Sequence, residues 1–310
     1  MKPFLCLILL VNLFSCNSSN EKIKIDETKH IGLKELKTDM PYKILYSEGY
    51  IEQAEKNAGL LKEAYLFLSD IMGPKEQFCL LVVSEKDWGE KNTYFPASVI
   101  LPCYFMGNVI ICTGKDLVAN GIEKRILSFP EESANEFIRT FTNDIGEPDG
   151  KLFSEKLLIH ELTHCFQDPW NKEIPYGSRY LWELHANMGL YAFYKSKRPN
   201  ELKYITQLVD FYFDHLPTDI KYTSLSDFDT HYINEMSGEN YEYYQMKLTK
   251  AAQIIIDSLG NSILKSVNDF IIKYDDSRYE KLITEDYNKK LAIEIDPRFI
   301  EIVHSFLEMN

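Results

Sequence analysis

The sequence predicts an α+β protein in which a small mixed sheet is followed by a mainly helical C-terminal part. Short apolar runs rich in strand-forming residues lie in the first part of the chain, most clearly at 78–83 and 108–113. From Pro130 onward, apolar residues recur almost entirely at helical spacing. With 310 residues, of which 45% are hydrophobic, the chain can bury one large core or two smaller ones.

The first 15 residues have the pattern of a lipoprotein signal peptide. A basic start precedes an apolar run at 4–14, which is too short to span a bilayer as a helix of about 20 residues. The run ends in Leu-Phe-Ser-Cys, which resembles the bacterial lipobox, with Cys16 as the residue that becomes lipidated. We therefore expect a lipid at Cys16 that anchors the protein to a membrane of the bacterial cell envelope, facing the periplasm or the cell surface. Ordinary signal cleavage near Ser15 is the alternative. Residues 16–40 contain few apolar side chains, which predicts a tether.

Composition excludes two classes of function. The net charge is -13 and no basic run is interleaved with aromatic residues, so we expect no nucleic-acid partner. The six cysteines form no Cys-x-x-Cys pair, which argues against a cysteine zinc site or a thioredoxin-like site. Cys103 and Cys112 could form a disulfide bond across neighbouring extended segments or stay as buried thiols, and the sequence leaves both open.

The elements of the sheet region follow from local patterns. Residues 50–72 have helical apolar spacing, and Gly73 followed by proline ends that helix. The continuous apolar run at 78–83 predicts a buried strand. Residues 108–113 predict either an edge strand that could pair with a peptide or a core strand.

The remaining elements are helices. Residues 131–145 predict a helix ended by Gly146, and Ser154 is the candidate N-cap of the next helix, which runs to about Gln167. Further helices are predicted at 178–195, 200–214, 239–259 and 261–274, and Asp296 with Pro297 begins a last one.

The chain is organised around the segment His160-Glu-Leu-Thr-His164. Histidines at positions i and i+4 of a helix lie on one face, so both imidazoles can reach one metal ion. Glu161 lies about 100° round the helix from His160, where it can act as a general base without being a ligand. A catalytic zinc needs a third protein ligand. Glu183 can supply it from a second helix, with 18 residues between it and His164, and His185 is the rival.

These residues resemble the gluzincins, the zinc metallopeptidases that include thermolysin and the zinc aminopeptidases. The resemblance lies in His-Glu-Leu-Thr-His, in the 18-residue gap, and in Leu-Trp-Glu183 followed by Ala186. The run from His160 to Gln167, together with Trp182-Glu183, is especially similar to small uncharacterised bacterial metallopeptidase-like domains. The resemblance implies a zincin (thermolysin-like) catalytic core at 41–200, with a helical region at 201–310 packed on it.

The resemblance also implies roles for individual residues. Zn²⁺ would be bound by His160, His164 and Glu183, and Glu161 would be the catalytic base. The residue four after the ligand glutamate, Asn187, would hold a ligand histidine through its carbonyl oxygen. Relatives place an oxyanion donor further downstream, where this chain offers His231 and a group of tyrosines, namely Tyr241, Tyr243 and Tyr244. Tyr244 is chosen because it precedes the apolar helix at 250–256. The Gly-x-Met-Glu-Asn loop of the aminopeptidases is absent, which argues against aminopeptidase action.

The leading expectation is a zinc-dependent peptidase that hydrolyses a peptide or protein substrate with metal-activated water. The alternative is a non-proteolytic metallopeptidase-like lipoprotein of envelope assembly or gliding motility. A third expectation, a solute-binding lipoprotein, predicts two lobes around a ligand cleft.

Overall fold

The computed structural model describes residues 25–75, 77–128, 131–168, 178–215, 219–232, 236–274 and 284–307. The predicted signal peptide and Cys16 lie outside these ranges. Over the described residues the chain is α+β, with one small mixed sheet and a mostly helical remainder, as predicted. None of the helices in these ranges is long and apolar enough to cross a membrane.

The sheet has five strands in the order β1-β2-β3-β5-β4. β2, β3 and β5 are parallel, and β1 and β4 are antiparallel strands at the two edges. Each residue of β3 is buried, because the strand has a neighbour on both sides and is covered on both faces, which explains its continuous apolar run. The strands are β1 (Lys34–Leu36), β2 (Lys43–Tyr46), β3 (Cys79–Val83), β4 (Cys103–Phe105) and β5 (Asn108–Cys112).

The strand predicted at 108–113 is a core strand, so the edge alternative is wrong. β5 pairs with β3 on one side and with β4 on the other. A two-residue turn joins β4 to β5, with Met106 at φ 45° and Gly107 at φ 79°. This left-handed pair matches the twist of a tight hairpin. The hairpin makes β4 the edge strand on this side of the sheet. Cys103 and Cys112 are free thiols.

The predicted tether is wrong for the part of 16–40 that the structure describes. Asp26 caps a short 3₁₀ turn at Glu27–His30, and its backbone N–H donates to the carbonyl of Met106 at 3.1 Å. β1 then adds a strand to the sheet beside β2. From residue 25 onward, the chain is therefore part of the folded domain.

The helices largely follow the predicted order. α1 ends at Gly73, whose φ of 93° suits glycine, and α6 begins after Ser178, whose side chain accepts a hydrogen bond from the Leu181 N–H. The sequence pattern does not predict α2, α8 or α11, and α3 ends at Thr140, five residues earlier than expected. The helices are α1 (Ile51–Met72), α2 (Leu117–Ser128), α3 (Glu131–Thr140), α4 (Lys151–Ser154), α5 (Leu157–Gln167), α6 (Arg179–Lys197), α7 (Lys203–Asp214), α8 (Leu225–His231), α9 (Gly238–Leu259), α10 (Ile263–Tyr274), α11 (Thr284–Glu294) and α12 (Pro297–Leu307).

Ser154 does not cap the metal-motif helix. It is the last residue of the short helix α4, and its side chain is hydrogen-bonded to Asp116. α5 begins after Lys156 without a side-chain cap. Packing therefore positions α5: it lies between the β4–β5 side of the sheet and α6, and α6 in turn packs against α9.

Candidate metal centre

One face of helix α5 packs in the hydrophobic core, and the residues of the His-Glu-Leu-Thr-His motif that could bind a metal or act as a base lie on another face. Leu158, Ile159 and Leu162 are buried in the main hydrophobic core. His160, Glu161 and His164 are 5–8% exposed, which is far more buried than such polar groups usually are. Groups of this kind are stable inside a protein only when they are paired or bind a metal.

Three of the predicted ligands converge on one point. The Nε2 atoms of His160 and His164 are 3.1 Å apart, and Glu183 Oε2 lies 3.2 Å from His160 Nε2. All three donor atoms lie within 4.8 Å of one another. His160 and His164 come from α5 and Glu183 comes from α6, as the predicted pair of packed helices requires.

This spacing fits a tetrahedral ion. A zinc ion with ligand distances of about 2.0–2.2 Å holds neighbouring donors about 3.3 Å apart. The two separations measured from His160 are close to that value, and the donor atoms of His164 and Glu183, which lie within 4.8 Å of each other, would move closer together around a bound ion. Two imidazole nitrogens and a carboxylate oxygen are also the donor set of catalytic zinc sites, which leave a fourth position open. The residues present therefore fit Zn²⁺.

The groups around Glu183 keep its carboxyl group ionised, which is the form that binds a metal. Burial alone would raise the pKa of Glu183, but its hydrogen bond with His160 and the proximity of His164 lower that pKa to about 2. Its other oxygen is also held, since the Tyr232 hydroxyl donates to Glu183 Oε1 at 2.8 Å. The side-chain amide of Gln245 donates to Glu183 Oε2 at 2.8 Å. The carboxylate is thus fixed by α9 and by the residue that follows α8.

Asn187 lies where the sequence predicts it. Its Oδ1 is 3.1 Å from His160 Nδ1, so the imidazole N–H donates to the amide oxygen and the opposite nitrogen faces the cluster. The Asn187 amide nitrogen donates to Gln245 Oε1 at 3.1 Å. Because Gln245 also donates to Glu183, the amides of Asn187 and Gln245 connect two ligands of the cluster.

Glu161 is held beside the cluster by the edge strand. The pKa of Glu161 is raised to about 7, mainly by burial and also by the charge of Glu183, although His160 and a backbone hydrogen bond lower it. The backbone N–H of Tyr104, on β4, donates to the Glu161 carboxylate. A carboxyl group whose pKa lies near neutrality can accept and release a proton at physiological pH.

His164 is enclosed between two aromatic rings. Tyr104 lies at 6.4 Å between ring centroids and Trp182 at 5.7 Å, and both are nearly parallel to the imidazole. His164 Nδ1 donates to Gln167 Oε1 at 2.7 Å. Burial lowers the pKa of His164 to about 4, so the imidazole is neutral at physiological pH.

The rival ligand His185 does not belong to the cluster. It is fully buried, and its Nε2 donates to the carbonyl of Leu264 at 3.0 Å. Its Nδ1 lies 2.8 Å from the side-chain amide nitrogen of Gln167. Both ring nitrogens are therefore used away from the cluster.

The prediction of Tyr244 as oxyanion donor is wrong. Its side chain is fully buried, and its hydroxyl donates to the carbonyl of Ser224 at 2.6 Å. Its ring packs against Phe228 and Tyr243 rather than against the metal ligands. His231 is also elsewhere, stacked on Tyr222.

Two other tyrosines lie at the cluster. Tyr232 donates to Glu183, and Tyr241 accepts a hydrogen bond from Gln245 at 2.9 Å and is hydrogen-bonded to Tyr232. Gln245 also donates to Glu183 Oε2 at 2.8 Å, so one amide connects the Tyr241 phenol to the cluster; burial, with the charges of Glu183 and Glu161, raises the pKa of Tyr241. Tyr241 and Gln245 are four residues apart on α9, a spacing that could have indicated this face. Nothing in the sequence around Tyr232 indicates its position.

No protein-family model matches the chain, and no curated protein matches it.

Proposed function

We propose that this chain is a zinc-dependent peptidase with a zincin-like catalytic core of the gluzincin type. The observation that carries the proposal is the convergence of His160, His164 and Glu183 at the donor spacing of a tetrahedral ion. The motif alone predicts that the two histidines share a face. The addition of a buried carboxylate from a second helix, with its pKa lowered to about 2, supports a set of three zinc ligands.

The three ligands would hold Zn²⁺, which when bound polarises a substrate carbonyl and makes water more acidic. Glu161 takes the proton of the attacking water as the water oxygen bonds to the carbonyl carbon. It then passes that proton to the amide nitrogen as the carbon–nitrogen bond breaks. Its hydrogen bond from the Tyr104 N–H keeps the carboxylate oriented through both transfers.

The donor for the developing oxyanion is reassigned to Tyr241. The Gln245 amide that donates to Glu183 Oε2 also donates to the Tyr241 hydroxyl, which supports a position of this phenol beside the proposed ligands. Tyr232 is less suited, because its hydroxyl donates to a proposed ligand, Glu183 Oε1, whereas the Tyr241 hydroxyl is hydrogen-bonded to Tyr232 and can turn to a substrate without releasing a ligand. One such donor contributes about 10²–10³-fold to the rate in acyl-transfer enzymes.

The edge strand β4 supports a peptide substrate. Tyr104 is paired in register with Val109 of β5 and its N–H donates to the Glu161 carboxylate, so the edge strand β4 lies beside the base. An extended peptide can add to such an edge by main-chain hydrogen bonds, which would bring its carbonyl groups to the cluster. The substrate in this proposal is an unfolded or extended segment of a peptide or protein.

The proposal places the enzyme in the bacterial cell envelope. It rests on the lipobox-like end of the apolar run, with a lipid at Cys16 as the membrane anchor. Labelling with a radioactive or clickable fatty acid tests this part separately, since Cys16→Ala would lose the label.

The activity is tested with full-length protein and its Glu161→Gln variant. We expect about one zinc per chain in both, and hydrolysis of an unfolded protein substrate that falls at least about 10²-fold in the variant. Glu155→Gln is the matched control, because Glu155 precedes the same helix and pairs with Lys56 at 2.7 Å. Equal hydrolysis by Glu161→Gln and the wild type, or a wild type without metal, would overturn the proposal.

One observation favours a second function, that of a non-proteolytic envelope assembly or gliding-motility lipoprotein. Glu161 is only 8% exposed, and a sealed site would hold a metal without admitting a peptide. In that case both the wild type and Glu161→Gln would bind zinc and neither would hydrolyse the substrate.

A further inference from the structure

We propose that Gln167 and His185 are positioning residues that fix the tautomer of His164, so that its Nε2 lone pair faces the metal. This inference rests on the proposed metal site and adds to it a path of hydrogen bonds that begins at two backbone carbonyls. All the side chains on this path are buried, and Gln167 and His185 are fully so. Buried polar groups in such a setting are restricted to the hydrogen bonds that the structure offers them.

The path begins with the orientation of the Gln167 amide. One end of this amide lies 2.8 Å from the carbonyl oxygen of Trp182. A carbonyl oxygen can only accept, so the Gln167 atom at that contact is the NH₂ nitrogen. This contact identifies the nitrogen of the amide. Because the amide group is planar, Gln167 Oε1 must lie on the other side of the amide carbon, where it faces His164.

The same nitrogen then sets the tautomer of His185. Gln167 Nε2 lies 2.8 Å from His185 Nδ1, and its second hydrogen points there, so Nδ1 must accept. The other ring nitrogen, Nε2, lies 3.0 Å from the carbonyl of Leu264, in the first turn of α10, and must donate. The carbonyls of Trp182 and Leu264 therefore allow only one arrangement of hydrogens on the Gln167 amide and the His185 ring.

The arrangement ends at the metal ligand. Gln167 Oε1 lies 2.7 Å from His164 Nδ1 and can only accept, so Nδ1 carries the hydrogen. His164 Nε2 is then unprotonated, and this is the nitrogen that lies 3.1 Å from His160 Nε2 inside the cluster. The opposite tautomer would set a lone pair against Gln167 Oε1 and a hydrogen into the metal position.

The path also explains why His185 is buried without being a ligand. Its two hydrogen bonds connect the Leu264 carbonyl, on α10, to the Gln167 side chain at the end of α5. Residues of this type affect metal affinity by about 10–100-fold when they are removed. Asn187 plays the corresponding role for His160.

The first test is a long-range ¹H–¹⁵N NMR spectrum of the metal-free wild-type protein. We expect His164 as the Nδ1–H tautomer and His185 as the Nε2–H tautomer. His164 as the Nε2–H tautomer would overturn the proposal. This spectrum needs neither metal nor substrate, so its outcome is separate from the test of peptidase activity.

The second test measures zinc affinity by competition with a chromogenic chelator. Gln167→Leu removes the acceptor for His164 and should weaken zinc binding about 10–100-fold. His185→Phe should cost less, because the Trp182 carbonyl still orients the Gln167 amide. Gln167→Glu keeps an acceptor toward His164 but sets its second oxygen against the Trp182 carbonyl, so it should restore only part of the affinity that Gln167→Leu loses.

Gln253→Leu is the matched control. Gln253 is another buried glutamine, on α9, and its amide nitrogen has no hydrogen-bond partner among the described residues. This variant should leave zinc affinity and the His164 tautomer unchanged. A folded Gln167→Leu protein that binds zinc as tightly as Gln253→Leu does would overturn the proposal. A wild type that binds no zinc, yet shows the expected tautomers, would instead remove the metal site and the proposed function.

Discussion

Gly189 on α6 lies so close to Thr163 on α5 that a Cβ atom at position 189 would be 2.2 Å from Thr163 Oγ1. Thr163 stands between the two ligand histidines of α5, and Gly189 follows Glu183 by less than two helical turns on α6. The crossing of these helices therefore sets how far Glu183 lies from His160. The 3.2 Å separation between the donor atoms of that pair depends on the absence of a side chain at position 189.

Gly189→Ala should weaken the fold and the zinc site together. The added methyl group overlaps Thr163 Oγ1 and must push α6 away from α5, which costs about 1–3 kcal/mol in the free energy of unfolding. The same displacement separates Glu183 from the histidines, so zinc affinity should also fall. Urea denaturation and chelator competition measure the two effects.

Gly59→Ala is the control for this substitution. Gly59 lies within α1, and a Cβ atom there meets no atom within 4 Å. Alanine is about 0.5–1 kcal/mol better than glycine inside a helix, so this variant should be more stable and bind zinc normally. A Gly189→Ala protein with the stability and zinc affinity of Gly59→Ala would contradict the proposed role of the helix crossing.

Zinc should stabilise the protein, and His164→Phe should abolish that effect. A phenyl ring keeps the stacking between Tyr104 and Trp182 but removes one ligand. A ligand at about 100 times its dissociation constant stabilises the folded state by about 2.7 kcal/mol. Thermal unfolding with and without zinc should show a rise of several degrees in the wild type and none in the variant.

His231→Phe is the matched control for the ligand substitution. His231 is also stacked on an aromatic ring, that of Tyr222, but it lies outside the cluster. Its variant should keep the zinc-dependent rise in melting temperature. Loss of the rise in both variants would mean that the effect does not come from the proposed site.

Much of the candidate metal centre can be predicted from the sequence, because its main contacts are local. His160 and His164 lie one helical turn apart, and Asn187 lies one turn after Glu183, so helical periodicity alone places each pair on one face. The core strand β3 is predictable for a similar reason, since its burial on both faces leaves a continuous apolar run.

The surroundings of the centre depend on contacts between distant parts of the chain. Tyr232 reaches Glu183 across 49 residues of sequence, from the end of the short helix α8, which has no strong apolar period. The edge position of β4 depends on a hairpin turn at Met106 and Gly107, and methionine is an unusual residue for a left-handed conformation. Local patterns contain no signal for either feature, so neither can be predicted from them.

Tyr241→Phe should lower kcat, whereas Tyr244→Phe should lower only the stability of the fold. Loss of the Tyr241 hydroxyl removes the proposed oxyanion donor and should lower kcat about 10²–10³-fold, with zinc retained. Loss of the Tyr244 hydroxyl removes one of two donors to the Ser224 carbonyl, which keeps the Phe228 N–H at 3.1 Å, so it should cost about 1 kcal/mol of stability and leave kcat unchanged. Steady-state kinetics and urea denaturation of both variants decide between these roles. A fall in kcat for Tyr244→Phe alone would contradict the reassignment to Tyr241.

Acid should weaken a charge network that joins the two ligand helices. Lys156, which precedes α5, and Arg198, which follows α6, both pair with Glu201. Burial alone would raise the pKa of Glu201, but the hydrogen bond and charge of Lys156, together with Arg198, lower it below its ordinary value of 4.5. A carboxyl group with a lowered pKa contributes stability that is present above the unfolded pKa and is lost as the pH falls through the folded pKa. The stability that Glu201 contributes should therefore be complete above about pH 4.5 and should be lost progressively as the pH falls below that value.

Glu201→Gln tests this pH dependence. The Glu201 side chain is 33% exposed, so solvent screening limits the contribution to about 1 kcal/mol. Urea denaturation between about pH 3 and 7 should show a flatter loss of stability in the variant than in the wild type, because a glutamine side chain at this position takes up no proton on unfolding. Glu48→Gln is the control, since Glu48 is 82% exposed and its Lys34 partner lies 3.6 Å away. If Glu201→Gln and Glu48→Gln follow the same curve, the ion pairs of Glu201 do not stabilise the junction between the start of α5 and the end of α6.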